Sequence, residues 1–187
     1  MNINQILDKI HPIKVSSKLK FFESFEEVSL PKNLLIIRSD KVEKNIYFIK
    51  KVIARTFSNF EDGEVTIAFG EEGDTIISLK SYILNQKGYE NIELLEDCEL
   101  YKISAVKLQN LFSTENDIAN WGRKFAEQEL IKAEQRFISN QQGTATERYL
   151  ELIKKHPTLL QRVSLGLIAS YLGITQVSLS RIRANIT

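Results

Sequence analysis

The residues best suited to a chemical role are the basic side chains near the end of the chain. From Gln142 onward there are six basic and two acidic residues, so this segment carries a charge of +4. The whole chain of 187 residues carries only +1, and the preceding part is therefore acidic, at −3. A basic segment on an acidic body is typical of an attached module that binds phosphate groups. The basic residues are Arg148, Lys154, Lys155, Arg162, Arg181 and Arg183.

Catalytic and metal-binding chemistry has little support in the sequence. Cys98 is the only cysteine, which excludes intrachain disulfides and cysteine-ligated zinc or iron–sulfur sites. His11 and His156 lack metal-ligand spacing and are interpreted as helix-end residues. No nucleophile–base pair or phosphate-binding loop is visible, so we expect neither an enzyme nor a metal or cofactor site. The carboxylates of one loop are interpreted as solvated charges: Glu71, Glu72 and Asp74.

Two helices joined by a tight turn are predicted within residues 162–183. Apolar residues follow helical spacing up to Gly173 and again after Thr175. Gly173 can adopt the positive φ that ends a helix, and the side-chain oxygen of Thr175 can cap the next one. Ala169 is small at the place where two steeply crossing helices approach most closely. This spacing is typical of a helix-turn-helix, whose second helix can lie in a DNA major groove, and an ordinary helical hairpin is the alternative.

The first half of the chain is predicted to be antiparallel β-structure preceded by short helices. Helical spacing up to Pro12, and again from Ser16 or Ser17 to Phe25, indicates two short helices. In residues 27–103, short apolar runs alternate with turn residues at intervals of about 8 to 12 residues, which favours a sandwich or barrel within an α+β protein. Asp62-Gly63 is typical of a hairpin. The predicted strands include residues 75–79 and 91–103.

A long helix is predicted at residues 115–141, with a length of about 40 Å. Thr114 with Asp117 three residues later resembles a capping box at its start. The helix is longer than one small domain needs, and its apolar stripe could pair with a second copy to give a two-fold dimer. The alternative is that the stripe packs on its own barrel. The residues assigned to the dimer contact are Ile118, Trp121, Phe125, Leu130 and Phe137.

Three parts of the chain are predicted from these elements. Residues 1–112 form a barrel-shaped sensor domain, residues 113–142 a long linking helix, and residues 143–187 a DNA-binding domain. Gly143 supplies a hinge, and Thr144 with Glu147 forms a capping box for a helix that ends at Lys155. A connector at residues 159–163 is expected to be a single strand.

This order of elements resembles the cyclic-AMP receptor and fumarate–nitrate regulator (Crp/Fnr) family of bacterial transcription factors. The resemblance covers nearly the whole chain. It implies an N-terminal antiparallel barrel or jelly roll like that of cyclic-nucleotide-binding domains, a long dimerisation helix, and a C-terminal helix-turn-helix domain. The motifs that carry it are Tyr47-Phe-Ile-Lys-Lys-Val-Ile-Ala-Arg-Thr-Phe57, Phe69-Gly-Glu-Glu-Gly-Asp-Thr-Ile, Leu95-Glu-Asp-Cys-Glu-Leu100 and Leu167-Ile-Ala-Ser-Tyr-Leu-Gly-Ile-Thr.

The phosphate cassette of cyclic-nucleotide-binding members is altered in this sequence. In those members Gly-Glu-Leu and a later arginine hold the ribose hydroxyl and the cyclic phosphate. The resemblance aligns this cassette with residues 73–79, so that Ile77 and Ser78 replace its Gly and Glu, and its arginine position falls near Gly88 or Tyr89.

The main anionic anchor of the cassette is therefore missing. No arginine occurs between Arg55 and Arg123, and Lys80 or Lys87 offers only a point charge in its place. We expect that the barrel does not bind cyclic AMP and that it holds another small effector or none. The residues assigned to the ligand pocket are Gly73, Asp74, Ser78, Leu79, Lys80 and Tyr89.

The resemblance places the DNA contacts on the first turns of the second helix. Arg181 would pair with guanine, Gln176 with adenine, and Val177 would contact a thymine methyl. The alternative for Arg181 and Arg183 is a solvated helix face or contact with phosphates. The residues assigned to DNA binding are Thr175, Gln176, Val177, Ser178, Arg181 and Arg183, with Thr175 and Ser178 near phosphates.

The resemblance also implies partners. They are a palindromic double-stranded operator, a second copy of the chain, and RNA polymerase. Many members continue into wing strands, whereas this sequence stops at Thr187, so a domain without the final wing is expected. No apolar run of about 18 residues and no signal-peptide core occurs, which predicts a cytoplasmic protein without membrane contact. The alternative function is a ligand-sensing or protein-interaction module of the same fold with a decayed DNA-binding half.

Overall fold

The computed structural model describes residues 1–61 and 63–186, and at Asn140 and Gln142 it describes the backbone alone. The helices are α1 (Ile3–Ile10), α2 (Val15–Phe22), α3 (Leu79–Leu84), α4 (Ala105–Thr114), α5 (Asn116–Gln142), α6 (Ala145–Lys155), α7 (Leu159–Arg162), α8 (Leu165–Tyr171) and α9 (Gln176–Ile186). The strands are β1 (Glu26–Leu30), β2 (Leu35–Ile37), β3 (Asn45–Lys51), β4 (Ala54–Phe60), β5 (Gly63–Gly70), β6 (Thr75–Ile76), β7 (Asn91–Leu94) and β8 (Cys98–Ser104).

The strands form two antiparallel sheets, with the orders β1-β8-β3-β6 and β2-β7-β4-β5. The predicted antiparallel β-structure is confirmed. Strands β4 and β5 form a hairpin in which Phe60 pairs with Gly63, and Gly63 has a φ of 118° that favours glycine. Asp62, the other half of the predicted hairpin signal, lies outside the described residues. The core between the sheets consists of apolar side chains that include Ile37, Ile49, Ile76, Leu94 and Leu100.

A second core surrounds Trp121, where α1, α2 and the first half of α5 cover the sheet that contains β3. Trp121 is 1% exposed, and its Nε1 donates a hydrogen bond of 3.0 Å to the carbonyl of Leu7. The ring of Phe21 meets the indole edge to face at 5.0 Å between centroids. These contacts fix the first half of α5 on its own chain.

The apolar stripe of α5 divides between two faces of the helix. Ile118 and Trp121 are buried within their own chain, so the assignment of these two residues to a dimer contact is wrong. Phe125 is half-buried and stacks on Trp121 at 5.8 Å. Both the buried and the exposed residues of the stripe follow helical spacing, so the sequence pattern does not separate them. Leu130 and Phe137 lie on the opposite face and are 71% and 63% exposed.

The predicted capping box at the start of α5 is not formed. Thr114 still belongs to α4, where its hydroxyl donates to a carbonyl one turn earlier. The carboxylate of Asp117 instead accepts hydrogen bonds from the backbone N–H of Lys14, at 2.9 Å, and from the hydroxyl of Ser17, at 3.0 Å. Asp117 is therefore used by tertiary partners on α2 and just before it, and α5 begins without a side-chain cap.

Three segments differ from their predicted elements. Residues 75–79, predicted as a strand, form the short β6 and then enter α3, which ends at Asn85 with a φ of 52°. Residues 91–103 form two strands, β7 and β8, rather than one. Residues 159–163 form the helical turn α7 instead of a strand. Apolar runs this short fit both the helical and the strand period, which explains why these three elements were predicted incorrectly.

Helices α6 to α9 enclose a third core. The predicted capping box of α6 is confirmed, because Thr144 and Glu147 exchange side-chain and backbone hydrogen bonds. Leu152, Ile168 and Leu179 are 4% exposed or less and form the centre of this core. Barrel residues also contribute to it, namely Ile53, Phe69 and Leu95. The C-terminal helices are therefore packed directly on the barrel.

Candidate nucleic-acid interface and ligand cavity

Helices α8 and α9 are connected by a tight turn whose geometry follows from two residues. Gly173 has a φ of 64°, and the N–H of Ile174 donates to the carbonyl of Ala169 at 3.0 Å, which closes α8. Thr175 Oγ1 then accepts the backbone N–H of Ser178 at 3.1 Å and caps α9. Both predicted roles are confirmed. Ala169 is buried, as its small size predicted.

The structure places the predicted DNA-contact residues around one exposed arc of α9. Leu179 is fully buried, whereas Gln176, Val177 and Arg181 are exposed. Thr175 is exposed at the helix start, and Ser178 is half-buried beside it. Arg183 differs from the others, because it lines a groove between α6 and α9. Polar and apolar side chains on a solvent-facing first turn can read base edges.

The position of α8 on the barrel is set by Ser170. Its Oγ accepts the backbone N–H of Thr66 at 3.0 Å and donates to the carbonyl of Glu64 at 3.4 Å. Both partners belong to β5, the outermost strand of its sheet. Next to this contact the rings of Phe69 and Tyr171 lie 5.5 Å apart. The helix is thus hydrogen-bonded to a sheet edge.

An ion-pair cluster forms a second contact between the barrel and the C-terminal helices. The Arg162 guanidinium donates to Glu72 at 2.8 and 3.0 Å and to Glu96 at 2.6 and 2.9 Å. His156 Nδ1 lies 2.5 Å from Glu71 Oε1. His156 and His11 are the C-terminal caps of α6 and α1, as predicted.

The interpretation of the loop carboxylates as solvated charges is wrong. Glu72 pairs with Arg162, and Asp74 pairs with Lys132 of α5 at 3.2 Å. Glu71 faces His156 as described above. These partners lie 58 to 90 residues further along the chain, at a separation that local sequence patterns do not reveal.

The Arg162 cluster shifts the acidity of its members. Hydrogen bonds from Arg162 hold the pKa of the Glu96 carboxyl below its usual value of 4.5. Burial raises the pKa of Glu72, but the bonds from Arg162 and the backbone outweigh it, and the net pKa is lowered. The two carboxylates raise the pKa of Arg162 in turn. All three groups are therefore charged at neutral pH.

A cavity of about 710 Å³ lies between the barrel, α5 and the C-terminal helices. Asp74, Leu79, Lys80 and Tyr89, predicted as pocket residues, line it. Gly73 and Ser78 do not: Gly73 is buried against the N-terminal residues, and Ser78 is buried before α3.

Cations that sequence reasoning did not assign to the pocket also line this cavity. They project from α5 and α6: Lys132, Arg136, Arg148 and Lys155. Lys132 and Arg136 are four residues apart, on the same side of α5 as Trp121 and Phe125. Their helical spacing from Trp121 and Phe125 is the sequence signal that could have placed them on the side of α5 that faces the barrel.

Most of these cations already have partners. Lys132 is bonded to Asp74 and Glu129. Burial lowers the pKa of Lys132, but the attraction of these two carboxylates outweighs it, and the net pKa is raised. Lys155 pairs with Glu151 at 2.7 Å. The Arg148 guanidinium donates to the carbonyls of Gly143 and Leu172, which connects the predicted hinge with the end of α8.

None of the helices within residues 1–61 and 63–186 is both long and apolar enough to cross a membrane.

Comparison with known proteins identifies the fold. Residues 27–115 match the family model of the cyclic nucleotide-binding domain. The chain is similar to the solved structure of the c-di-GMP-responsive global regulator CLP of Xanthomonas campestris, with 17% identity, a TM-score of 0.72, and coverage of 92% of this chain and 91% of that chain. No curated protein matches the chain in sequence.

Two further solved structures share the architecture. FixK2 from Bradyrhizobium japonicum has 21% identity and a TM-score of 0.70, over 87% of this chain and 84% of that chain. A transcriptional regulator assigned to the Crp/Fnr family, from Eubacterium rectale, has 14% identity and a TM-score of 0.71, over 93% of this chain and 85% of that chain. At these identities the similarity establishes the fold, and the predicted resemblance is confirmed at that level.

Proposed function

We propose that this chain is a homodimeric, sequence-specific DNA-binding transcription regulator of the Crp/Fnr type. The observation that carries the proposal is the exposure of Gln176, Val177 and Arg181 on α9, a helix that is held in the C-terminal core by Leu179. Together with α8 and the capped turn, this arrangement supports a helix-turn-helix that inserts α9 into a major groove. The basic charge of the C-terminal segment favours approach to phosphates.

The proposed dimer contact is the exposed face of the second half of α5. Ala126, Leu130, Ala133 and Phe137 alternate at steps of four and three residues, which is the spacing of a two-helix seam. Leu130 and Phe137 have no cover within the described part of their own chain and are more than half exposed. Pairing this face with a second copy would bury both and relate the two α9 helices by a two-fold axis.

We further propose that the regulator does not respond to cyclic AMP. Ile77 and Ser78 occupy the cassette positions, and Ser78 is buried with its hydroxyl unpartnered among the described residues. The barrel arginine, Arg55, is 4% exposed and is already bonded to Glu64 and Glu93. Calorimetric titration with cyclic AMP should therefore give no binding heat, and micromolar affinity would contradict this part of the proposal.

Selection of binding sites from random double-stranded DNA tests the main function. The chain of residues 1–187 should enrich an inverted repeat whose half-sites lie about 34 Å apart, one helical turn, because two α9 helices must face the same side of the duplex. The Arg181→Ala variant, selected in parallel at the same salt concentration, should lose preference at one position of each half-site. Recovery of sequences without a consensus would reject the proposal and leave the barrel as a sensing or interaction module.

A further inference from the structure

Arg148 of α6 connects the end of the long helix α5 with the end of α8. Its Nη1 donates a hydrogen bond of 2.6 Å to the carbonyl of Gly143, and its Nη2 donates one of 2.9 Å to the carbonyl of Leu172. Gly143 is the C-terminal cap of α5, and Leu172 is the C-terminal cap of α8. One guanidinium therefore holds two helix ends that belong to different parts of the chain.

The charge of Arg148 is directed at these two carbonyls. Leu172 keeps a helical backbone conformation, so its carbonyl lies at the negative end of the α8 dipole, where a cation is favourable. Gly143 has an extended backbone, and its carbonyl lies just outside the hydrogen-bond ladder of α5. The two carboxylates of α6 are used elsewhere, since Glu147 caps the start of the helix and Glu151 pairs with Lys155.

The packing around Arg148 leaves it little freedom. A Cβ at Gly143 would lie 3.0 Å from the carbonyl oxygen of Ser139 and 3.3 Å from Cγ of Arg148, so the absence of a side chain allows the close approach. Leu172 is 1% exposed, and Arg148 itself is half-buried. The planar guanidinium is therefore confined, and its fixed geometry sets the separation of the two carbonyls.

This contact lies on the path that joins the proposed dimer helix to the proposed reading helix. The second half of α5 carries the proposed dimer contact, and Leu172 comes directly before Gly173, where the chain turns toward α9. The separation of two α9 helices in a dimer is therefore transmitted through α5, Gly143 and α8. The contacts of Arg162 and Ser170 hold the same helices on the barrel and do not involve Gly143.

We infer that Arg148 is a positioning residue that restricts the angle between α5 and the helix-turn-helix and thereby narrows the half-site spacing that a dimer accepts. The inference rests on the proposed function, because it names a residue that determines which operators this function selects. Arg148 acts through the carbonyls of Gly143 and Leu172 and is separate from the proposed base contacts on α9. Without the guanidinium, the two carbonyls lose their common donor and the angle varies more widely.

Distances within one chain test the inference without DNA. Spin labels are attached at Glu127→Cys on α5 and Asn185→Cys on α9, which are exposed positions, in a chain that also carries Cys98→Ala. Labelled chain is mixed with an excess of unlabelled chain, so that pulsed electron paramagnetic resonance measures one intrachain distance. Arg148→Met, which keeps the length of the side chain without its donors, should broaden or shift the distance distribution. An identical distribution would overturn the inference.

Two further variants serve as controls for charge and for geometry. Lys154→Met removes a positive charge from an exposed position of the same helix and should leave the distribution unchanged. Arg148→Lys keeps the charge but lacks the planar fork, so its distribution should lie between those of the unaltered chain and Arg148→Met. A distribution in Lys154→Met as broad as that in Arg148→Met would overturn the inference, because any loss of charge from α6 would then have the same effect.

Spacing preference on DNA is the second measurement. The probes are duplexes that carry the selected inverted repeat with its spacer changed by one or two base pairs. Each base pair moves the half-sites by about 3.4 Å and rotates them by about 35°. The ratio of affinities between the best spacing and the altered spacings should fall about tenfold in Arg148→Met, because a charge-assisted hydrogen bond no longer favours one angle.

A duplex with a single half-site separates positioning from folding. Affinity for it should be unchanged in Arg148→Met, because the side chains of α9 are unaltered. Lys154→Met should keep the full spacing ratio, since a lost charge weakens binding at every spacing equally. An unchanged spacing ratio in Arg148→Met would overturn the inference, and so would an equal loss of affinity on the single half-site, which would show that the reading unit itself had been damaged.

The two measurements also distinguish this inference from the proposed function. If the unaltered protein selects no consensus sequence, the DNA-binding function is rejected, while the intrachain distances still decide whether Arg148 positions the helices. If a consensus is selected but Arg148→Met keeps both the distance distribution and the spacing ratio, the function stands and the inference is overturned.

Discussion

The guanidinium of Arg162 donates two hydrogen bonds to the carboxylate of Glu72, which lies 90 residues earlier in the chain. Two more bonds from the same guanidinium reach Glu96, so one side chain on α7 holds two loops of the barrel. The Arg162 cluster and the Ser170 contact therefore add polar contacts to the apolar core that joins the C-terminal helices to the barrel. The contribution of Arg162 can be tested directly.

Replacing Arg162 with Ala should loosen the C-terminal helices. Glu72 and Glu96 would be left side by side without a counter-charge, and the loss of charge-assisted hydrogen bonds should cost about 2 kcal/mol of docking free energy. Hydrogen exchange at neutral pH should show faster exchange in residues 145–186 and little change in β3 and β8. Arg38→Ala is the matched control, since its exposed pair with Asp40 should contribute at most about 1 kcal/mol. Equal protection from hydrogen exchange in Arg162→Ala and Arg38→Ala would show that Arg162 does not hold the C-terminal helices on the barrel.

The same cluster predicts a loss of stability in acid. The pKa values of Glu72 and Glu96 are lowered in the folded protein, so these groups stabilise it above their unfolded pKa of about 4.5. This contribution disappears as the pH falls from about 4.5 through the lowered values, because protonation breaks the pairs with Arg162. Thermal unfolding followed by circular dichroism between pH 3 and 6 should show the decrease. In Arg162→Ala the decrease should be smaller, and an identical pH profile would exclude this cluster as its source.

Replacing Arg181 with Ala should reduce discrimination between DNA sequences. A bidentate contact from arginine to guanine contributes about 1–3 kcal/mol, so affinity for the selected site should fall about 5- to 150-fold. Affinity for unrelated DNA should fall much less. Fluorescence anisotropy at two salt concentrations measures both effects, and Arg38→Ala on the barrel is the control for charge. A uniform loss on all sequences would indicate that Arg181 contacts phosphate instead.

Replacing Leu130 with Asp should convert the proposed dimer to a monomer. The side chain is 71% exposed in the single chain, and the proposed seam would bury the new carboxylate without a partner. Size-exclusion chromatography with light scattering measures the mass. Leu19→Asp is the matched control, because Leu19 is 59% exposed on α2 and lies outside the α5 face. A dimer that persists in Leu130→Asp would place the contact elsewhere.

Elements defined by local chemistry were predictable from the sequence. The turn at Gly173, the cap at Thr175 and the capping box of Thr144 with Glu147 all depend on groups within a few residues of one another. The capping box predicted for Thr114 does not form, because its expected partner, Asp117, accepts hydrogen bonds from α2 and from the residue before it. A motif of two polar residues cannot show which of several donors a carboxylate will meet in the folded chain.

Features that depend on packing between distant segments were not predictable. The division of the α5 stripe requires knowing that Trp121 meets Leu7, more than a hundred residues away. In the same way, the sequence shows Lys132 and Arg136 only as charged residues on a helix. Their place in a cavity depends on the packing of the C-terminal helices against α5 and the barrel.

The contact of Ser170 with Thr66 also affects solubility. Strand β5 is the outermost strand of its sheet, and its backbone N–H and C=O groups would otherwise be free to pair with another molecule. Val65 and Ile67 beside this contact are 45% and 43% exposed, which makes the uncovered edge apolar as well. Any movement that lifts α8 from the barrel therefore exposes a surface prone to intermolecular β-pairing. The helix that positions α9 also protects the barrel from aggregation.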